Sequence, residues 1–484
     1  MVLTISALAL AGCGGGGDSE PAPAETAPAA AAEQGAEPAS SAQVSLGDLG
    51  PCGNQPRPDG FRCGEIEVPF ERSDPSYGTT TIGFAVRPRE DVRHPSQGAI
   101  FAVEGGPGYS STGTANAFSK LFEPLLRHHD LVLVDQRGQG RSELYDCPDL
   151  QRGAGPDWLT LAECARRLGK RFISYRTSAA ADDIDDVRAA LGYERIALYG
   201  DSYGSFLGQS YAYRHGDRLQ ALVLDSTYPA FGEDPWYPSL PKTAVRSLDI
   251  ACDRSPDCSG DARTRLGELV DYLRQTRRGT GDLLDVLAKA GYGPPDTYLK
   301  IDRVGAKLLE GERGPWHRLV RDEKPGAHHI RSYARAGELV VGCNDYPMIW
   351  EKDASEAQRR HQLEQAIRDY DPNAFPPFTP REMALSTEIG YLECLTWPRP
   401  TDVYEPAVDP ETQEPTEAPV LVVSGELDNV TTPEEGDTVA GFFPNSEYYL
   451  ARSAGHTHAL YYKNSAAADR IREFLREQLG AETG

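Results

Sequence analysis

Long apolar runs are almost absent from this chain. The one candidate, Val2 to Leu10, is too short to span a bilayer, and no other stretch is long and apolar enough to do so. Positive charge is scarce as well. Lys and Arg number 49 against 73 Asp and Glu, a net charge of −24. A surface of that sign repels phosphate backbones and anionic headgroups, which sets aside nucleic acid and anionic membrane surfaces as partners. It suits attraction of a cationic N-terminus, although a solvated acidic surface is the plainer account. No Cys or His spacing resembles a metal site, and no internal repeat is present. The 484 residues, 39% of them hydrophobic, suit one α/β core carrying a large insertion.

The most informative residue that is present is Ser202. It stands at the centre of Gly200-Asp201-Ser202-Tyr203-Gly204, directly after the apolar run Ile196 to Tyr199. Phe206, Leu207, Tyr211 and Tyr213 continue as a helix, and Leu222 to Asp225 reads as the next strand. Strand, G-x-S-x-G, helix is the context in which a serine hydroxyl is held at the top of a sheet as a nucleophile; the five-residue motif by itself is weak.

A serine hydroxyl needs a base, and the base an orienting acid. Both follow in the order Ser, Asp, His that is usual for α/β-hydrolases. The run Val420 to Val423 leads into a loop carrying Asp428, with Glu426 as the alternative acid. The run Glu447 to Leu450 leads into Ser453-Ala454-Gly455-His456, with His458 the rival base. Upstream, the strand Ala99 to Val103 precedes Glu104-Gly105-Gly106-Pro107-Gly108. Glycine-rich backbone there can point an N–H at a developing oxyanion, the Tyr203 N–H being the second donor. The segment Asp135 to Ser142 carries no evident chemistry and reads as a brace for loops around the site.

Three motifs together, Gly-Gly-Pro-Gly at 105–108, Asp-Gln-Arg-Gly-x-Gly-x-Ser at 135–142 and Gly-x-Ser-Tyr-Gly at 200–204, resemble the prolyl iminopeptidase and tripeptidyl aminopeptidase group of α/β-hydrolases. Residues 202–212 and Cys343-Asn344-Asp345 are similar to the tripeptidyl branch. The resemblance covers residues 50 to 475. It implies a serine exopeptidase without metal or cofactor, with Ser202 as nucleophile, Asp428 as orienting acid, His456 as base, and Gly106 and Tyr203 as oxyanion donors. Glu104 stands where prolyl iminopeptidases usually have His, which puts prolyl specificity in doubt. The loop 428–433 is one residue longer before its proline than the family's Asp-x-x-Thr-Pro.

The N-terminus bears on location. Val2 to Leu10 followed by Leu10-Ala11-Gly12-Cys13 resembles a bacterial lipobox, in which the cysteine is lipidated and becomes the mature N-terminus. The basic residues that usually open such a signal are missing, so the true translation start stays open. Residues 14–45, rich in Gly, Ala, Pro, Glu and Ser, cannot bury apolar surface and read as a flexible tether. Nine cysteines less Cys13 leave eight, an even number in a protein expected to be exported. Sequential pairing, Cys52 with Cys63, Cys147 with Cys164, Cys252 with Cys258 and Cys343 with Cys394, gives the shortest loops, though sequence alone allows 105 pairings.

The expected fold is therefore α/β: a mostly parallel sheet flanked by helices, with a large, mostly helical cap insertion. The expected map is 1–13 signal with lipobox, 14–45 tether, 46–228 first part of the core, 229–418 cap, and 419–480 second part of the core. The insertion shows helical patterns at Leu266-Leu269-Val270-Leu273 and Leu363-Ala366-Ile367, and Ala466 to Leu475 is an amphipathic helix expected to pack on the sheet. The expected function is a serine aminopeptidase acting on peptide N-termini, lipid-anchored outside the cytoplasmic membrane or secreted, with no cofactor. An exopeptidase must also hold a free ammonium group, for which Glu104, Asp345 and Glu393 are the candidates. Two other classes stay open, an ester hydrolase using the same triad and a noncatalytic surface-binding lipoprotein. The number of residues released and the oligomeric state are not legible.

Overall fold

The computed structural model describes residues 44–53, 58–94, 96–155, 157–258, 260–276, 279–322, 329–386, 389 and 391–480. Cys13 and the expected tether up to residue 43 lie outside them. Nine strands form one sheet: β1 (Gly50–Pro51), β2 (Arg62–Pro69), β3 (Thr79–Arg87), β4 (Ala99–Val103), β5 (Asp130–Val134), β6 (Ile196–Asp201), β7 (Leu219–Asp225), β8 (Val420–Gly425) and β9 (Ser446–Ala451). Their order is β1-β2-β3-β5-β4-β6-β7-β8-β9. The β1, β2, β3 and β5 neighbours pair antiparallel, and every pair from β5–β4 to β8–β9 is parallel.

Strands β4, β5, β6 and β8 are buried along their whole length, because helices cover both faces. On one face, Phe118, Leu121 and Phe122 of the helix Ala115–Phe122 join Ile471, Phe474 and Leu475 of the C-terminal helix Ala466–Leu479. Each such side chain, taken from water, contributes about 1.5–3 kcal/mol. On the other face lie Ile184 and Val187 of Thr177–Ala190 and Leu207 and Tyr211 of Tyr203–Arg214. The chain passes from β4 to β5 on one side and returns to β6 on the other. The strand order thus reverses at β4, and in open α/β sheets the carboxyl ends at such a reversal are where ligands bind. The register sets these ends level, with Val103 beside Gly200, Gly200 beside Leu224 and Leu224 beside Val422.

Between β7 and β8 the described residues form helices and no strand. Leu266, Leu269, Val270 and Leu273 are buried on the helix Ala262–Gln275, and Leu363 and Ile367 on Glu356–Asp369, as their spacing predicts. These helices share one apolar cluster, which also takes in Leu161, Cys164 and Phe172. Residues 157–172, placed by sequence reasoning in the core, therefore pack with the insertion. Their helix Asp157–Leu168 is tied back by Cys147–Cys164. The other bonds, Cys52–Cys63, Cys252–Cys258 and Cys343–Cys394, complete the sequential pattern. Closing the 51-residue span of Cys343–Cys394 contributes about 4 kcal/mol in the chain-entropy account.

Candidate active site

Ser202 follows β6 with φ 52° and ψ −125°, a left-handed region that a residue with a Cβ enters only when its surroundings force it. Two glycines make the turn possible. A Cβ on Gly200 would lie 2.0 Å from the Gly204 carbonyl oxygen, and one on Gly204 would lie 2.4 Å from the Val103 carbonyl oxygen. Only glycine lets the helix Tyr203–Arg214 come this close to β4 and β6. The Ser202 N–H donates to Asp225 O at 2.9 Å, fixing the turn to β7, and the serine is the partly exposed residue between buried Asp201 and buried Tyr203.

The end of β4 meets this turn from the other side. The position of a Cβ on Gly105 would be 3.1 Å from Ser202 Oγ, so Gly105–Gly106 backbone runs directly past the hydroxyl. Gly106, at φ 115°, bends the loop there. Tyr203 is the first residue of its helix, and N–H groups of a first helical turn have no partner within the helix. Tyr203 is itself braced: its hydroxyl donates to Thr177 Oγ1 at 2.9 Å, and Thr177 Oγ1 donates to Asp345 at 2.6 Å.

Asp428 follows β8 and His456 follows β9, both buried, at 0% and 3% exposure. His456 Nδ1 is 2.9 Å from Asp428 Oδ2. The other carboxylate oxygen accepts the N–H groups of Val430 and Thr431 at 2.9 Å each. Thr431 Oγ1 donates to Asp428 Oδ2 at 3.0 Å and lies 3.1 Å from His456 Nδ1. The extra residue in this loop does no damage, because Thr432 caps the helix Pro433–Ala440 in a capping box with Glu435. The histidine loop is tied to β7, where Thr457 N–H donates to Ser226 Oγ at 2.7 Å. The Ser202 turn and the His456 loop are thereby anchored on consecutive residues, Asp225 and Ser226. His456 lies close enough to Glu104 and Asp225 for its charge to act on both.

The insertion grips these loops. His456 N–H donates to Gly291 O at 2.6 Å, Asn429 Nδ2 to Leu287 O at 2.8 Å, and Tyr298 Oη to Leu427 O at 2.8 Å. Tyr292 packs edge-on against the His456 ring, 4.8 Å between centroids. Tyr109, Tyr292 and Tyr461 are 40%, 51% and 60% exposed. Tyr461 lies near both Tyr109 and Tyr292, an exposed aromatic rim beside the serine and histidine.

The rival residues are engaged elsewhere. Glu426 pairs with Arg254 and accepts Ser453 N–H, and His458 stacks on Tyr462. The 135–142 segment is a brace, as expected. Arg137 is buried and donates to Asp183, Phe70 O and Ser174 O, and Gln139 Nε2 holds Tyr109 O at 3.1 Å. Asp135 accepts from Thr112 and Arg141, and burial pushes its carboxyl up to about 6.

Of the three candidates for a substrate amine, two are committed inside the protein. Glu104 is buried at the start of the Gly105–Gly106 loop against Thr114 and Asp201. Asp345 accepts the Thr177 N–H and hydroxyl, both at 2.6 Å. Glu393 is partly exposed. It lies near Glu338, which sequence reasoning missed and whose carboxyl is pushed up by burial and by the Glu393 charge. Glu338 sits in the first turn of the helix Arg335–Asp345, and a Cβ on Gly108 would be 3.4 Å from its nitrogen. Among the described residues no group of three or more His, Cys, Asp or Glu could hold a metal ion.

Residues 98–246 match the α/β hydrolase fold family, and residues 383–480 the family of TAP-like protein. The chain has the α/β-hydrolase fold. This hydrolase is 27% identical to a tripeptidyl aminopeptidase of Streptomyces coelicolor, over 90% of this chain and 84% of that one. It is 26% identical to a tripeptidyl aminopeptidase of Streptomyces lividans, covering 90% and 85%. A proline iminopeptidase of Neisseria gonorrhoeae is 29% identical over 28% of this chain and 34% of its own.

Proposed function

We propose that this hydrolase is a serine aminopeptidase releasing short peptides or single residues from free N-termini. The observation that carries it is the Asp428–His456 pair at 2.9 Å, set across β7 from a strained serine against glycine-rich backbone. In this reading Ser202 Oγ attacks the scissile carbonyl while His456 takes its proton. Gly106 and Tyr203 N–H groups receive the oxyanion. His456 returns the proton to the leaving amine, water repeats the cycle on the acyl-enzyme, and Asp428 stabilises the imidazolium throughout. Likeness to two tripeptidyl aminopeptidases along most of the chain favours peptides over esters. Residues 229–418 act as the cap that closes one end of the cleft.

A buried ammonium group needs a carboxylate partner, since an unpaired buried charge costs several kcal/mol. Partial exposure singles out Glu393, with Glu338 beside it. N-acetylation of a good peptide substrate is expected to lower kcat/KM at least about tenfold, roughly 1.4 kcal/mol. Among Glu104→Gln, Asp345→Asn and Glu393→Gln, the Glu393 variant alone is expected to lose the preference for the free amine. Equal rates on free and acetylated peptides point to an endopeptidase or an esterase instead, and a comparison of peptide amides with short-chain esters separates the esterase reading.

We also propose that the chain is exported and tethered through lipid on Cys13, with residues 14–45 as the spacer. The four disulfides support an oxidising compartment. Cys13→Ser is expected to move the protein from the membrane fraction to the soluble fraction with its turnover intact. Unchanged membrane association contradicts anchoring at this cysteine.

A further inference from the structure

Behind the nucleophile lie three buried carboxyls on adjacent strands: Glu104 just past β4, Asp201 ending β6 and Asp225 ending β7, at 4%, 1% and 2% exposure. Asp225 is satisfied by the Tyr199 hydroxyl at 2.8 Å. Glu104 and Asp201 are different. Glu104 Oε2 and Asp201 Oδ1 are buried and receive no donor from any described protein group. The two side chains lie close enough to act on each other directly. Two carboxylate oxygens in contact, out of water, repel unless a proton lies between them.

We propose that Glu104 and Asp201 share one proton, and that this acid–carboxylate hydrogen bond is the positioning element holding the oxyanion loop against the nucleophile turn. Glu104 opens the Gly105–Gly106 loop, and Asp201 is the residue before Ser202. A bond between their side chains therefore sets the distance between the oxyanion donor and the hydroxyl, where an error of about 1 Å costs on the order of a hundredfold in rate. The backbone contacts agree: a Cβ on Gly105 would lie 2.9 Å from Asp201 O and 2.6 Å from Ser202 Cβ.

The ionisable and hydrogen-bonding groups facing the pair are Thr114 and Ser111 from the loop after β4, Tyr199 and Asp225 from β6 and β7, His456 from the loop after β9, and Tyr109 and Tyr461 at the rim. Asp428 faces Asp225 in turn. His456 is the one group among them that can carry positive charge. Burial raises both Glu104 and Asp201, and the charges of Glu104 and Asp225 raise Asp201 further. A carboxyl raised in the folded state favours its protonated form, so the contribution is present in acid and lost as pH rises through the folded value. The account therefore places an alkaline fall in kcat where the shared proton leaves. Asp225 is pushed up to about 7 by burial and is the competing source of such a fall.

The inference rests on Ser202 being the nucleophile. The experiment measures kcat and KM on a tripeptide p-nitroanilide from pH 5 to 10, together with the rate of fluorophosphonate labelling, which needs no choice between peptide and ester. Asp201→Asn keeps a donor toward Glu104 and has no proton to lose. Its alkaline limb is expected to move up by at least one pH unit with a loss of less than about tenfold in kcat at pH 7. Asp201→Ala, which has no such bond, is expected to lose about fiftyfold or more in kcat with KM changed less than threefold. Should the alanine variant fail to fold, the limb of Asp201→Asn still decides. An alkaline limb that stays in place in Asp201→Asn, or that moves only in Asp225→Asn, overturns the proposal. Loss of labelling specificity for Ser202 would instead overturn the nucleophile assignment beneath it.

Discussion

Ser202→Ala is expected to lower kcat by at least about 10³-fold, some 4 kcal/mol of transition-state stabilisation, with the fold and thermal stability retained. The size of the effect follows from what remains. Gly106, Tyr203, His456 and Asp428 stay in place and still polarise a bound carbonyl, so a residual rate above that in water is expected, but no acyl-enzyme forms. The fold is retained because the turn is held by its backbone, through Ser202 N–H to Asp225 O and through Gly200 and Gly204 against their neighbours. Alanine has a Cβ like serine and meets the same φ of 52°. The check is steady-state turnover of the purified variant beside its unfolding curve. Activity within tenfold of the parent removes Ser202 from the mechanism.

His456→Ala is expected to cost as much as loss of Ser202, since the two act as a unit and their losses do not add. Asp428→Asn is expected to be damaging but milder by about tenfold or more. The asparagine keeps the shape and the acceptor for the Val430 and Thr431 N–H groups. In that same orientation its NH₂ group takes the place of Oδ2 against His456 Nδ1, which favours the wrong imidazole tautomer. Thr431 Oγ1, within 3.1 Å of Nδ1, gives the ring a second partner and softens the loss. The measurement is kcat/KM for the two variants and for His458→Ala. If His458→Ala is the inactivating change and His456→Ala is not, the base is misassigned.

The parts of this architecture that could be read from sequence are those where the signal is local. Strands β4 to β8 are buried on both faces, so Ala99 to Val103 and Val420 to Val423 stand out as unbroken apolar runs. Ser202 and Asp428 each follow such a run within a few residues, whereas His456 follows the partly buried β9 and stands out through the Gly-His step after that strand. Strand β2 was harder. One of its faces is solvated, and its burial alternates through Arg62–Pro69 with charged residues between. What could not be read depends on register and on distant contacts. That Glu104 meets Asp201 is decided by the pairing of Val103 with Gly200. That Asp345 braces Tyr203 through Thr177 rests on a contact spanning 168 positions. The attachment of residues 157–172 to the insertion is a matter of which apolar face finds which partner, and their own helical pattern is neutral on that point. The four disulfides were recoverable because each joins neighbouring cysteines.

The central claim, that this hydrolase cuts peptides from a free N-terminus using Ser202, is tested most directly by mass spectrometry of products from a peptide library offered with free and with acetylated N-termini. The account predicts short fragments of uniform length released in register from the free N-termini, little release from the acetylated set, and neither from Ser202→Ala. Internal cleavages distributed alike over both sets, or products that persist in Ser202→Ala, contradict it.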